Sequence, residues 1–169
     1  MIHKILGVIL IVLGCGGCGF TMAACYRYEE NCLRQLQKAM DFMACELEYR
    51  QPELPQLCVH TANAVTGVVR QLFTLLSREL EQQVAPDAQW CMDAALAAVR
   101  LPDSCRLVAR ELGDTLGLFD LNGQLRGLRA AEESCAQKLS RMSAGRESRL
   151  RNYQTLGLCA GAALAILLL

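Results

Sequence analysis

Outside the stretch from Glu29 to Glu147 the chain has no acidic residue at all, although it carries seventeen in total. It has only two histidines, His3 and His60, and only four prolines, none after Pro102. Each scarcity excludes something. With so few imidazoles, a His-rich metal centre is out of reach, and Cys15-x-x-Cys18 has no second pair at metal-ligand spacing to complete a zinc site. The P-loop pattern G-x-x-x-x-G-K-[ST], the H-E-x-x-H zinc helix and the G-x-S-x-G nucleophile elbow are all missing, so no common ATPase or hydrolase core is encoded. Alternating β-branched runs joined by tight hairpin turns are missing too; Asn122-Gly123 lies inside a helical pattern. The formal net charge is zero, which leaves no broad positive field for nucleic acid.

The missing charge at the ends is itself informative. From Ile5 to Cys25 no side chain is charged, and a helix of about 20 apolar residues covers the ~30 Å hydrocarbon layer of a bilayer. His3 and Lys4 ahead of this run also fit a secretory signal, but the run outlasts a signal core and no clean A-x-A-like site follows it. Val12-Leu13-Gly14-Cys15 meets a lipid-attachment pattern only poorly, because Leu13 is a weak fit. The reading is an uncleaved membrane helix. Tyr153 to Leu169 forms a second uncharged run, at the lower limit of spanning length.

Lys and Arg set the orientation, since cytoplasmic flanks retain positive charge. Arg27, Arg34 and Lys38 follow the first run, and Lys138, Arg141, Arg146, Arg149 and Arg151 precede the second. The expected architecture is a transmembrane helix over 1–25, a cytoplasmic helical-bundle domain over 26–152 and a transmembrane helix over 153–169, with both termini outside. The basic cluster is explained by this topology and by anionic headgroups.

The middle segment reads as all-α, an antiparallel helical bundle. Leu33, Leu36, Met40, Met43 and Leu47 recur at spacings of three and four, on a helix that stops before Pro52. Proline in a first turn lets another helix begin at Leu54-Pro55. Val69, Leu72, Leu76 and Leu80 mark a stripe that ends before Pro86. Asp87 caps a helix carrying Trp90, the turn Leu101-Pro102-Asp103-Ser104 caps the next, and Gly113 closes it. Asp120 opens a long last helix on which Leu121, Leu125, Leu128, Cys135, Leu139 and Met142 share a face; it can continue through Arg149 into the second apolar run with a bend near Gly145. Cys32, Cys45, Cys58, Cys91, Cys105 and Cys135 read as reduced core or boundary residues.

Gly14-Cys15-Gly16-Gly17-Cys18-Gly19 contains G-x-G-x-x-G, but no parallel strands surround it, so glycines that let membrane helices approach closely explain it better than a nucleotide. Gly157-x-x-x-Gly161, extended by Ala165, and the weaker Gly19-x-x-x-Ala23 place small residues along one face of each apolar helix. Those stripes suit packing either between the two helices of one chain or onto a neighbouring copy. No cofactor is expected. Asp120 is read most simply as a helix N-cap, with Asp120 and Gln124 the candidate partner contact.

Taken together, these residues resemble the stage III sporulation protein AB family. The likeness rests on Leu6-Gly7 and Gly19-Phe20, Leu33-Arg34-Gln35-Leu36, Glu53-Leu54-Pro55, and Trp90 with Leu96. Its most specific stretches are Leu116-Gly117-x-x-Asp120-x-x-x-Gln124 and Leu150-Arg151-x-Tyr153-x-x-Leu156-Gly157-x-x-x-Gly161. The resemblance implies a cytoplasmic domain similar to the F-type inner-membrane platform of type II secretion and type IV pilus machines, and a place in the complex joining mother cell and forespore. It further implies a non-enzymatic platform on the mother-cell side of the outer forespore membrane, with other channel subunits and a cytosolic secretion-type ATPase as partners. A platform of an unrelated pilus or secretion system is the alternative, and a membrane enzyme using its cysteines a third reading. The cysteine-rich glycine run is not something the resemblance accounts for.

Overall fold

A computed structural model describes the backbone over 2–82, 87–117 and 120–168, and the side chains over 21–82, 87–117, 120–144 and at Thr155. Among the described residues every regular element is a helix: α1 (Ile2–Tyr49), α2 (Leu54–Ala64), α3 (Gly67–Glu81), α4 (Ala88–Ala98), α5 (Asp103–Gly113) and α6 (Leu121–Leu168). The chain divides into two compact units. One contains residues 1–28 with 141–169, and the other is Glu29–Ser140.

In the Glu29–Ser140 unit, the α1 stripe is the centre of the core. Leu33, Leu36, Met40 and Met43 are fully buried, and Leu47 nearly so, as their three-four spacing predicts. Each such side chain contributes about 1.5–3 kcal/mol through apolar surface removed from water. Around it α2 packs on α3, α3 on α4 and α4 on α5. Val69, Leu72, Phe73 and Leu76 bury the inner face of α3, and Leu128, Ala131 and Cys135 that of α6.

Helix boundaries follow local chemistry. α1 ends where Arg50 N and Gln51 N both donate to Glu46 O. Gln51 takes a left-handed φ of 48°, and Pro52 then supplies no donor to extend the ladder. α2 begins with proline in its first turn. The segment after it breaks at Val65–Thr66, which the apolar stripe alone does not reveal. Gly67 starts α3 with φ of 67°, and Thr66 N, which has no partner in its own helix, donates to Gln35 Oε1 on α1 at 3.0 Å. Gln35 thus caps a turn 31 residues away. α5 differs from its expected capping: its N-cap is Pro102, which has no side-chain acceptor to offer, and Ser104 Oγ donates to Glu29 Oε1 at 2.6 Å.

In the unit formed by the two chain ends, Tyr26 OH donates to Met142 O and Arg27 Nε to Ala23 O. Among the described residues no helix is long and apolar enough to cross a membrane. The side chains of 1–20 and 156–169, which carry most of the two uncharged runs, lie outside the described residues.

Candidate docking end of the helical unit

Three helix N-termini meet at one end of the Glu29–Ser140 unit. α5 closes at Gly113 and the chain turns through Asp114–Gly117 before α6 begins. Leu116 is buried in this turn, and Gly117 has φ of 79°, a conformation that suits glycine because it has no Cβ to clash. A Cβ on Gly117 would lie 3.5 Å from Leu54 Cδ2 and 3.7 Å from Ala88 Cβ. The turn therefore rests on the first residues of both α2 and α4.

Two other glycines fix that arrangement by closeness. A Cβ on Gly113 would stand 2.9 Å from Met92 Cβ, and one on Gly127 would stand 2.6 Å from Thr115 Cβ and Cγ2. Contacts this short do not occur between real side chains, so α5 lies directly against α4, and α6 against the turn, only because these positions carry hydrogen. The Gly127 contact is invisible in the sequence, where a glycine inside a helical pattern signals only lowered propensity.

Acidic residues cap this end. Asp87 Oδ1 accepts from Gln89 N at 3.1 Å, and Asp120 Oδ1 accepts from Gly123 N at 3.0 Å, satisfying orphan donors of α4 and α6. Glu53 holds the corresponding place before α2 without a side-chain cap bond. The N-cap assigned to Asp120 from sequence is thus what its side chain makes. Asp120 is also exposed, and Gln124 one turn on is half-buried; Gln124 N donates to Asp120 O at 2.9 Å. Trp90, in the first turn of α4, is 51% exposed.

Of the other sequence-derived sites, Ala23 is buried and its carbonyl receives Arg27. Gly19, Gly157, Gly161 and Ala165 fall within α1 and α6, but their packing lies outside the described residues. Leu118 and Phe119, inside the most specific motif, lie outside them as well, as does Pro86.

Five of the six cysteines read as core or boundary residues are buried, and Cys45 is exposed. Burial raises the thiols: Cys58 to about 12, Cys105 to about 12 against a lowering hydrogen bond from Ser104, and Cys135 to about 11 against the lowering charge of Lys138. Cys91 also rises through burial, with Glu79 and Asp87 adding to the effect. Thiols held neutral in this way are poor nucleophiles. Cys135 Sγ points to Leu33 O at 3.3 Å, filling the seam between α6 and α1. Among the described residues no group of three His, Cys, Asp or Glu side chains could hold a metal ion.

Arg34–Glu30 at 2.9 Å and Arg50–Glu46 at 3.6 Å are one-turn pairs that each join an exposed guanidinium to a largely buried carboxylate. His60 Nδ1 lies 3.1 Å from Glu46 Oε2, tying α2 to α1, and sequence reasoning gave no sign of it.

Residues 4–169 match the stage III sporulation protein AB family. The chain belongs to that family. It is 25% identical over 170 residues to stage III sporulation protein AB of Bacillus subtilis (strain 168), covering 98% of this chain and 99% of that protein. The solved structure of a stage III sporulation protein AB (SpoIIIAB) superposes with a TM-score of 0.63 at 20% identity, covering 72% of this chain and 98% of the solved one; that likeness establishes the shared fold. Within the family frame, the meeting of Glu53-Leu54-Pro55, Trp90 and Leu116-Gly117-x-x-Asp120 is notable. Three of the stretches that carry the sequence resemblance lie at the starts of α2 and α4 and in the turn before α6, at one end of one unit, whereas Leu33-Arg34-Gln35-Leu36 lies within α1 and Leu96 near the end of α4.

Proposed function

We propose that this protein is a non-enzymatic, membrane-anchored platform of the transenvelope complex built during endospore formation. The observation that carries this reading is the meeting of three family-bearing stretches, Glu53-Leu54-Pro55, Trp90 and Leu116-Gly117-x-x-Asp120, at the α2–α4–α6 end, where close glycine contacts and acidic caps form an exposed surface. Such a surface suits assembly rather than turnover. Its capping carboxylates are already engaged with backbone donors, and the buried thiols are held in their unreactive protonated form.

In this reading the uncharged runs 5–25 and 153–169 span the membrane, with the helical domain on the cytoplasmic side. The Gly157-x-x-x-Gly161 stripe with Ala165, and Gly19 with Ala23, bring membrane helices together within a chain or between copies. Asp120 and Gln124 contribute to a contact with a cytosolic secretion-type ATPase, and the platform couples that ATPase to the other channel subunits. The secretion-type mechanism is an analogy of fold and rests on that alone.

The reading is tested by fractionating sporulating cells that carry a tagged chain. The protein is expected in the membrane fraction, released by detergent together with other channel subunits and the ATPase. Recovery in the soluble fraction, or from detergent extracts without those partners, would overturn it.

A further inference from the structure

Packing of α3 on α4 leaves a cleft that the core does not fill. Its volume is about 300 Å³, and it is lined by Arg70, Gln71, Thr74 and Leu75 from the first part of α3 and by Ala98 and Val99 where α4 ends. The start of α3 therefore lies beside the end of α4, and the two helices run antiparallel. The depression has a simple origin: α4 offers only a methyl group at the exposed Ala98, and no more at Ala94 one turn earlier. The floor is apolar, with Leu75 half-buried and Val99 buried. The rim is polar. Gln71 can both donate and accept, and Thr74 Oγ1, which donates to Arg70 O at 2.9 Å, keeps its lone pairs for an incoming N–H.

Charge around this cleft is mostly of one sign. Arg70 is exposed, and its guanidinium makes no hydrogen bond or ion pair among the described residues. It stands in the first turn of α3, where the helix dipole favours Asp or Glu and neither is present. Helix stability therefore does not account for it. Arg100 follows Val99 and is exposed, and Arg106 is half-buried in the first part of α5. α1 reaches the start of α3 at Gln35, one turn from the exposed Lys38. Carboxylates are few by comparison. Asp103 is exposed at the start of α5, but Glu29 is engaged by Ser104, Glu30 by Arg34 and Asp93 by Arg110, and α2 has no Asp or Glu. Asp41 is farther along α1, and Glu79, Glu81 and the Asp87 cap lie toward the other end of α3 and α4, about 14 Å or more away.

We propose that the α3–α4 cleft docks a segment of another protein in which an apolar side chain is flanked by Asp or Glu. The apolar group enters between Leu75, Ala98 and Val99, and a carboxylate pairs with Arg70, whose planar fork suits a two-bond contact. A cleft this size takes one or two apolar side chains, and its rim offers a donor and acceptors to a peptide backbone; a flat layer of lipid headgroups matches neither feature. The inference deepens the platform reading by naming the chemistry of one partner, and it rests on that reading for its biological use.

The test is photocrosslinking in intact sporulating cells, with p-benzoylphenylalanine replacing Gln71 in the tagged full-length chain and, as a control, replacing Glu133 on the exposed side of α6. The captured segment is mapped by mass spectrometry. The expected result is one protein segment, captured from the Gln71 position and not from the Glu133 position, with Asp or Glu within about one helical turn of an apolar residue. Arg70→Glu should cut the yield about fivefold or more while the melting midpoint holds or rises, because a carboxylate suits the first turn of a helix. Ala98→Leu, which fills the cleft from α4, should cut it as well. Changing the captured segment's carboxylates to Lys should restore its capture by the Arg70→Glu chain. No capture, capture of a phospholipid or of a second copy of this chain, a segment without carboxylates, equal capture from both positions, a yield indifferent to either variant, or a charge swap without rescue would each overturn the proposal. Membrane fractionation and recovery of the ATPase are read separately from capture at Gln71, so failure of this docking site and failure of the platform reading are told apart.

Discussion

Asp120 is assigned two tasks, capping α6 and contributing to a partner surface, and different substitutions separate them. Its carboxylate accepts the Gly123 N–H at 3.0 Å while the residue remains exposed. Alanine removes the acceptor and leaves a first-turn donor to water, a change that typically costs about 1 kcal/mol. Asparagine keeps an acceptor of the same shape and gives up only the charge at the helix N-terminus, about 0.3–1 kcal/mol at an exposed site. For a domain of this size 1 kcal/mol corresponds to roughly 4 °C in midpoint. Thermal unfolding of the full-length protein in detergent, followed by circular dichroism, should therefore place Asp120→Asn about 1–4 °C below the natural protein and Asp120→Ala, which loses both acceptor and charge, about 5–8 °C below it. Recovery of the ATPase with the tagged chain should fall for both variants. If asparagine lowers the midpoint as much as alanine, the hydrogen-bond account of the cap is wrong. If asparagine retains full partner recovery, Asp120 is a cap and nothing more.

Further expectations concern packing and ionisation. Gly127→Ala should destabilise by about 1–2 kcal/mol, because overpacking against Thr115 outweighs the helix propensity gained; Thr115→Gly in the same chain should recover part of the loss, and a Gly127→Ala protein more stable than the natural one would refute the contact. Gln35→Ala should cost about 1 kcal/mol by freeing Thr66 N, whereas Gln35→Glu, which keeps an acceptor, should cost less in the same melts. Cys58, Cys105 and Cys135 have folded pKa values of about 12, 12 and 11, above the usual thiol value near 8.5. The folded state therefore holds these protons more tightly, so the stability they confer is complete below about pH 8.5 and is lost as pH climbs toward 12. A denaturant series across pH 8 to 11 measures this, and a midpoint independent of pH over that range would contradict it. At pH 8 an alkylating reagent should modify Cys45 quickly and these three only after unfolding.

Periodicity made most of the helical architecture legible. The α1 stripe is buried residue for residue, and Asp87 and Asp120 cap the helices they precede. These are local signals, set by side-chain spacing along one helix or by a carboxylate two or three residues from its donor. What the sequence did not disclose depends on distant partners. Gln35 caps a turn far along the chain, Ser104 turns from its own helix to Glu29, and Gly127 is set by Thr115. The break at Val65–Thr66 is hidden because apolar residues continue on both sides of it. The docking end was legible only in pieces, as three short motifs whose meeting is a matter of tertiary structure.

The measurement that tests the central claim most directly is thiol accessibility in intact cells, with a membrane-impermeant reagent on chains retaining one cysteine. Cys45 is the suitable reporter of the helical domain because it is exposed, whereas Cys91 is buried; a cysteine added after Leu169 reports the other side. The account predicts labelling of the added cysteine in intact cells and of Cys45 only after permeabilisation. Labelling of Cys45 in intact cells would put the helical domain outside and remove the cytosolic ATPase from its reach.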